Sequence, residues 1–208
     1  MSGCGCGMQA TTQEELKVLR LLLVINAVMF LVEIVAGVMA DSTGLIADSL
    51  DMFADAGVYG LSLYAVGRAA SLKTRAAEVS GVLQIVLGLG VLFEVGRRFY
   101  FGSEPESDLM VIIGSVALVA NIGCMILLAR HRKGEVHMRA SWIFSTNDVI
   151  ANLGVIISGF LVALTASRLP DLAIGFLIAA LVIRGGISIL REAKETSTGS
   201  SCSAGVSE

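Results

Sequence analysis

Six stretches of the chain are each apolar for long enough to cross a lipid bilayer, and this limits the possible folds more than any other feature. A hydrocarbon core about 30 Å thick takes about 20 helical residues to span. Runs of that length extend from Leu16 to Ala40, Ser42 to Val66, Glu78 to Tyr100, Asp108 to Arg130, Arg139 to Thr165 and Leu169 to Leu190. The expectation is an all-α polytopic membrane protein with six transmembrane helices. Composition agrees, because 55% hydrophobic residues against 16% charged ones is more apolar than a soluble domain needs.

The connectors DS, GRAASLKTRAA, FGSEPES, HRKGEVHM and ASR leave no room for a soluble domain between helices. No basic n-region or cleavable apolar core precedes the first run, so that helix is expected to be retained. The chain thus divides into a flexible amino-terminal tail (1–15), a six-helix transmembrane domain (16–193) and a Ser- and Gly-rich tail (194–208) expected to be disordered. Cys4, Cys6, Cys124 and Cys202 do not form a disulfide framework. Cys4 and Cys6 make a Cys-x-Cys pair able to capture a soft metal ion, although two thiolates alone are a poor site.

Lysine and arginine set the orientation. Placing both termini in the cytoplasm puts Lys17, Arg20, Arg68, Lys73, Arg75, Arg130, Arg132, Lys133, Arg139, Arg191 and Lys194 inside and only Arg97, Arg98 and Arg168 outside. The Arg97 and Arg98 pair breaks the pattern without an evident reason. A cell membrane of the bacterial inner type is the expected location, and nothing suggests a nucleic-acid partner.

Within the second run lies IADSLDMFADA, with three aspartates. At 100° per residue, Asp51 falls about 60° and Asp55 about 20° from Asp48, so the three share one stripe near the middle of the membrane. Three ionised carboxylates there require a cavity, a cation or protons to relieve them. Arg184 is the only deeply placed base in the helices, and one arginine does not balance three acids. The fifth run repeats the theme with Asp148, flanked by Ser145 and Asn152 on its own face and by Asn147 beside it. Asp51, Asp55 and Asp148, with the Asn147 amide oxygen or a serine hydroxyl, would make an oxygen-rich site suited to a divalent cation. Asn26, Glu33, Gln84, Glu94, Asn121 and Asp171 are further polar residues suited to hold helices together, and Glu33 is also placed to relay protons. Met52 and Phe53 are expected to fill core or lipid-facing space.

These features resemble the cation diffusion facilitator family. The resemblance rests on D-x-x-D-x-x-x-D in the second helix, R-A-x(7)-D at the start of the fifth and the basic loop before it. FLVEIVAGVMADSTGLIADSLDMFAD is similar to the family's first hairpin, EVGRRF to the end of its third helix and ISILREA to the exit of its sixth. The resemblance implies a cation efflux transmembrane domain whose metal site takes one D-x-x-x-D pair from the second helix, here Asp51 and Asp55, and one from the fifth. That second pair maps onto Phe144 and Asp148, and a phenyl ring is no ligand, which leaves Asn147 or Ser145 as substitutes. The family's usual carboxy-terminal cytoplasmic domain and histidine-rich loop have no counterpart here, so a homodimer would rest on the helices.

No resident cofactor is expected. The implied function is export of a divalent transition-metal ion, of the zinc, cadmium, cobalt, iron or manganese class, through alternating access, without an enzymatic step and with protons as coupling ion. Clustered carboxylates raise one another's proton affinity, so metal release would be met by proton uptake, with Asp48, Glu33, Ser145 and Asn152 as supporting or relay groups. A metal-binding sensor or accessory subunit without transport is the alternative. Enzymatic readings fit poorly: a CDP-alcohol phosphotransferase needs glycine after its second aspartate, where Met52 stands, and an intramembrane aspartyl protease needs G-x-G-D, which is absent.

Overall fold

In a computed structural model the backbone is described for residues 6–65, 70–129 and 136–203. Within these, the side chains of 6–12, 14–15, 62, 65, 70–74, 76, 136–147, 192 and 195–203 lie outside the description. Six helices follow one another: α1 (Cys6–Met39), α2 (Thr43–Ala65), α3 (Ala70–Phe101), α4 (Ser107–Ala129), α5 (Val136–Thr165) and α6 (Leu169–Ser203). The expected helix count and all-α class hold among the described residues.

Among the described residues, five of the six are long and apolar enough to cross a membrane, over Leu16–Met39, Ala77–Phe101, Ser107–Ala129, Asp148–Thr165 and Leu169–Arg191. The exception, α2, has the same 23 residues as α4 but carries Asp48, Asp51 and Asp55. It packs against α1, α3, α5 and α6, which shield it. Polarity is therefore turned inward: Val24, Leu31, Val35, Phe93 and Val119 face outward, while Asn26, Glu33, Asn121 and Asn152 are buried. That is the arrangement lipid favours.

Two helices run past their expected ends. α1 begins at Cys6 rather than Leu16, and α6 continues to Ser203 where a disordered tail from residue 194 was expected. Part of the reason is local: QEELK before the first apolar run and REAKE after the last are good helix formers, and no proline stands in either stretch, while the Gly- and Ser-containing ends beyond them have no such propensity.

α3 and α6 form an antiparallel pair built on glycine. A Cβ at Gly186 would stand 2.7 Å from the Gly81 carbonyl oxygen, and one at Gly88 would stand 3.1 Å from that of Ala179. Small residues let the backbones touch, as membrane helices require when no hydrophobic effect drives them together. Along α2, Leu45 and Ala47 join a core with Val155 and Ile178, Met52 packs with Met29 and Ala117, and Tyr59 joins Leu19, Cys124 and Leu128. Phe53 turns outward and stacks on Phe30 with centroids 4.9 Å apart, so Met52 and Phe53 fill space as expected.

Candidate metal centre

The register of the aspartate stripe is set at the start of α2. The end of α1 closes with Ser42 N–H donating to Gly37 O at 3.0 Å and Asp41 N–H to Val38 O at 3.3 Å, with Asp41 in the left-handed region at φ 47°. Ser42 then caps α2, its Oγ accepting from Leu45 N–H at 3.1 Å. The same hydroxyl donates to Asp171 Oδ1 at 2.6 Å. Asp171 also accepts from Thr43 N–H at 2.6 Å and Gly44 N–H at 2.9 Å, so a carboxylate of α6 holds the first turn of α2. A negative charge is well placed there, since free N–H groups and the helix dipole both favour it.

Below this anchor the stripe meets α5 in two places. Asn152 donates from Nδ2 to both carboxylate oxygens of Asp48, at 2.9 and 3.1 Å, and to the carbonyl of Asp148 at 2.8 Å. Two turns further along α2, the carboxyl groups of Asp55 and Asp148 lie close enough to act on each other electrostatically. Two carboxyl groups so close need a proton or a cation between them. Asp48, Asp55 and Asp148 are buried and Asp51 is half-buried. Glu33 of α1 is fully buried within the electrostatic reach of Asp48 and Asp51.

The acceptors in this space are short of donors. Both oxygens of Glu33, Oδ2 of Asp55 and Oδ1 of Asn152 are buried without a hydrogen-bond partner. Among the described residues, no lysine or arginine is among the charged groups acting on Glu33, Asp48, Asp51, Asp55 or Asp148. Arg184, the base weighed against them in the sequence, lies exposed on α6.

Of the expected ligands, Asp55 and Asp148 are brought together and Asp51 stands one turn away. Among the described residues no three Asp, Glu, His or Cys side chains converge tightly enough to enclose one ion. The side chains of Ser145 and Asn147, like Phe144, lie outside the described residues, as do Cys4 and the thiol of Cys6.

Two residues at the site escaped the sequence reading. Tyr59 and Cys124 are buried and act electrostatically with Asp55 and Asp148. Tyr59 follows Asp55 by four positions and so continues the stripe, a signal open to reading. Nothing near Cys124 in the chain points to it.

A bundle of membrane-length helices with donor-poor carboxylates buried at its centre defines an integral membrane protein with a polar interior. The chain belongs to the cation efflux family, whose transmembrane domain matches residues 19–196. It is 26% identical over 183 residues to the "Zinc transporter ZitB" of Pectobacterium atrosepticum, covering 81% of this chain and 57% of that protein. Similar matches are the "Metal cation efflux system protein CzcD" of Cupriavidus metallidurans, 24% identical over 79% of this chain and 56% of that one, and the "Cadmium, cobalt and zinc/H(+)-K(+) antiporter" of Bacillus velezensis, 23% identical over 78% and 56%. The chain thus spans between half and two thirds of the length of these relatives.

Proposed function

We propose that this chain carries divalent transition-metal cations out of the cytoplasm in exchange for protons, with Asp51, Asp55 and Asp148 as the carboxylates that take the ion. The observation that carries this reading is the set of buried, donor-poor oxygens between α2 and α5, of which Asp55 Oδ2 and the Asp55–Asp148 pair are the centre. A cation of charge two satisfies them where water does not reach.

In this reading α2 is pinned at its first turn and the carboxylate pair forms where α2 and α5 pack together. A small movement of α2 against α5 about that contact brings Asp51 to the ion or withdraws it, with the amide of Asn147, the residue before Asp148, as the expected further ligand. Asn152 keeps Asp48 turned toward α5, so that the Asp48 carboxylate stays beside the ion rather than on it. When the ion leaves, protons replace it between Asp55 and Asp148, and Glu33 receives or supplies them. Oxygen ligands alone accept iron(II), manganese, cobalt, zinc and cadmium; zinc, cadmium and cobalt are the ions named for the relatives.

The test is flux in sealed liposomes that hold a pH-reporting dye, with each metal added in turn. Metal-dependent proton movement in the wild type that disappears in an Asp55→Asn and Asp148→Asn double variant is the expected outcome. Metal binding without movement of metal or protons would turn the assignment to a membrane sensor or accessory subunit.

A further inference from the structure

Away from the carboxylates, a groove of about 600 Å³ runs along one face of α6, with Leu92 of α3 at its edge. Its walls include Leu92 of α3 and Phe176 and Ile183 of α6, and its polar groups are Arg184, Ser188 and Arg191. The spacing of the last three, i, i+4 and i+7, puts them on one face of α6. All three are exposed.

Arg184 is the puzzle. It lies inside the apolar span Leu169–Arg191, about 10 Å along the axis from the end of that span. A charge at that depth is costly and is kept where something pairs with it. Among the described residues neither Arg184 nor Arg191 forms an ion pair, although the ion pairs of Arg97 and Arg98 are well formed on α3. The antiparallel register puts Glu78 of α3 near the level of Arg191, yet no ion pair joins them. Along this face the described residues offer two cations, a hydroxyl and apolar walls, and no ion-paired anion.

We propose that this groove is a binding site for an anionic phospholipid, its phosphate held between Arg184 and Arg191 with Ser188 as a further donor, and an acyl chain laid against Leu92, Phe176 and Ile183. A guanidinium bonds a phosphate through two parallel N–H groups, and a long side chain reaches from the apolar span to headgroup level. Basic pockets between membrane helices bind such headgroups for this reason. The apolar walls favour lipid over soluble phosphate, since an ion from solution lacks the apolar half of the interaction. The lipid would also cover the glycine seam of α3 and α6 and hold the two helices together.

The experiment is native mass spectrometry of the full chain released from micelles containing equal phosphatidylglycerol and phosphatidylcholine. Wild type is expected to retain phosphatidylglycerol selectively. R184Q should lower that retention about fivefold and R184Q/R191Q about twenty-five-fold, as the loss of one and two headgroup contacts implies. R184Q is expected to melt with the wild type in phosphatidylcholine micelles; should it not, R191Q, at the end of the span, carries the same comparison. Retention unchanged by either replacement, or equal for the two lipids, would overturn the site. So would displacement of the lipid by millimolar inorganic phosphate, or a second copy of the chain that persists in lipid-free wild type and is lost in the double variant.

Discussion

Asp171 and Glu33 are both fully buried carboxylates in this bundle, and they are treated in opposite ways. Asp171 receives a hydroxyl and two backbone N–H groups, all within 2.9 Å. Neither oxygen of Glu33 has a partner. Burial costs each of them the same hydration, so the difference lies in what the fold supplies in return. At Asp171 the donors are spent to fix where α2 begins. Around Glu33, Asp55 and Asp148 they are withheld, which leaves acceptors open for a cation or protons. One region holds position, and in the proposed function the other takes the cargo.

The largest effect expected of any single change falls on the first region. Asp171→Ala leaves Thr43 N–H, Gly44 N–H and the Ser42 hydroxyl buried without their acceptor, at a cost of about 3–5 kcal/mol. Thermal melting in detergent should fall sharply, and no metal should restore it. A variant that melts like the wild type would remove the distinction between the two carboxylates.

Next comes the opposite signature at the site. Asp55→Asn should cut metal flux by about 100-fold, comparable to the loss of a group acting directly on a metal, while melting stays close to that of the wild type. Asn supplies donors to oxygens that lacked them, so a small rise in melting temperature is the sharper expectation. A marked fall in stability instead would make Asp55 a structural residue like Asp171.

Two neighbouring arginines refine the contrast. Arg98 is 5% exposed and bonds Glu94 at 2.6 Å and Asp41 Oδ1 at 2.9 Å, besides the Asp41 carbonyl. Arg97 reaches only Glu94 and is half exposed. Arg98→Gln is expected to cost about 2 kcal/mol in a melting experiment, a figure reduced from that of a fully buried pair because Asp41 remains wet. Arg97→Gln should leave the melting curve in place. Equal effects would mean that the cluster acts as one surface patch.

The smallest effect is expected at Asn152→Leu, which removes the donors to Asp48 and the carbonyl of Asp148 but keeps the volume. It should slow flux by about 10-fold, the order expected when a group that positions a ligand is lost, without abolishing it. Flux at the wild-type level would show that Asp48 needs no tether.

These contrasts mark how far the chain was readable. The aspartate stripe was legible because helical period is a property of neighbours: 48, 51 and 55 share a face wherever the helix sits. Asn152 was legible as lying on the face of Asp148, but its bond to Asp48 crosses between helices and has no local trace. Arg97 and Arg98 contradicted the charge rule as letters. In space Arg98 is consumed by Glu94 and by the turn at Asp41, 57 residues away, which explains its place at that end.

Helix number, membrane class, the inward stripe and the family resemblance were determined by the sequence alone, since each follows from length, hydropathy or spacing within one segment. Tertiary structure decided which carboxylate is satisfied and which is left open. It also brought Tyr59 and Cys124 to the same space and, among the described residues, left Arg184 in a groove without an ion-pair partner. The physical reason is that a hydrogen-bond partner across the bundle is chosen by packing, and packing is set where the glycines of α3 and α6 and the first turn of α2 let the helices close.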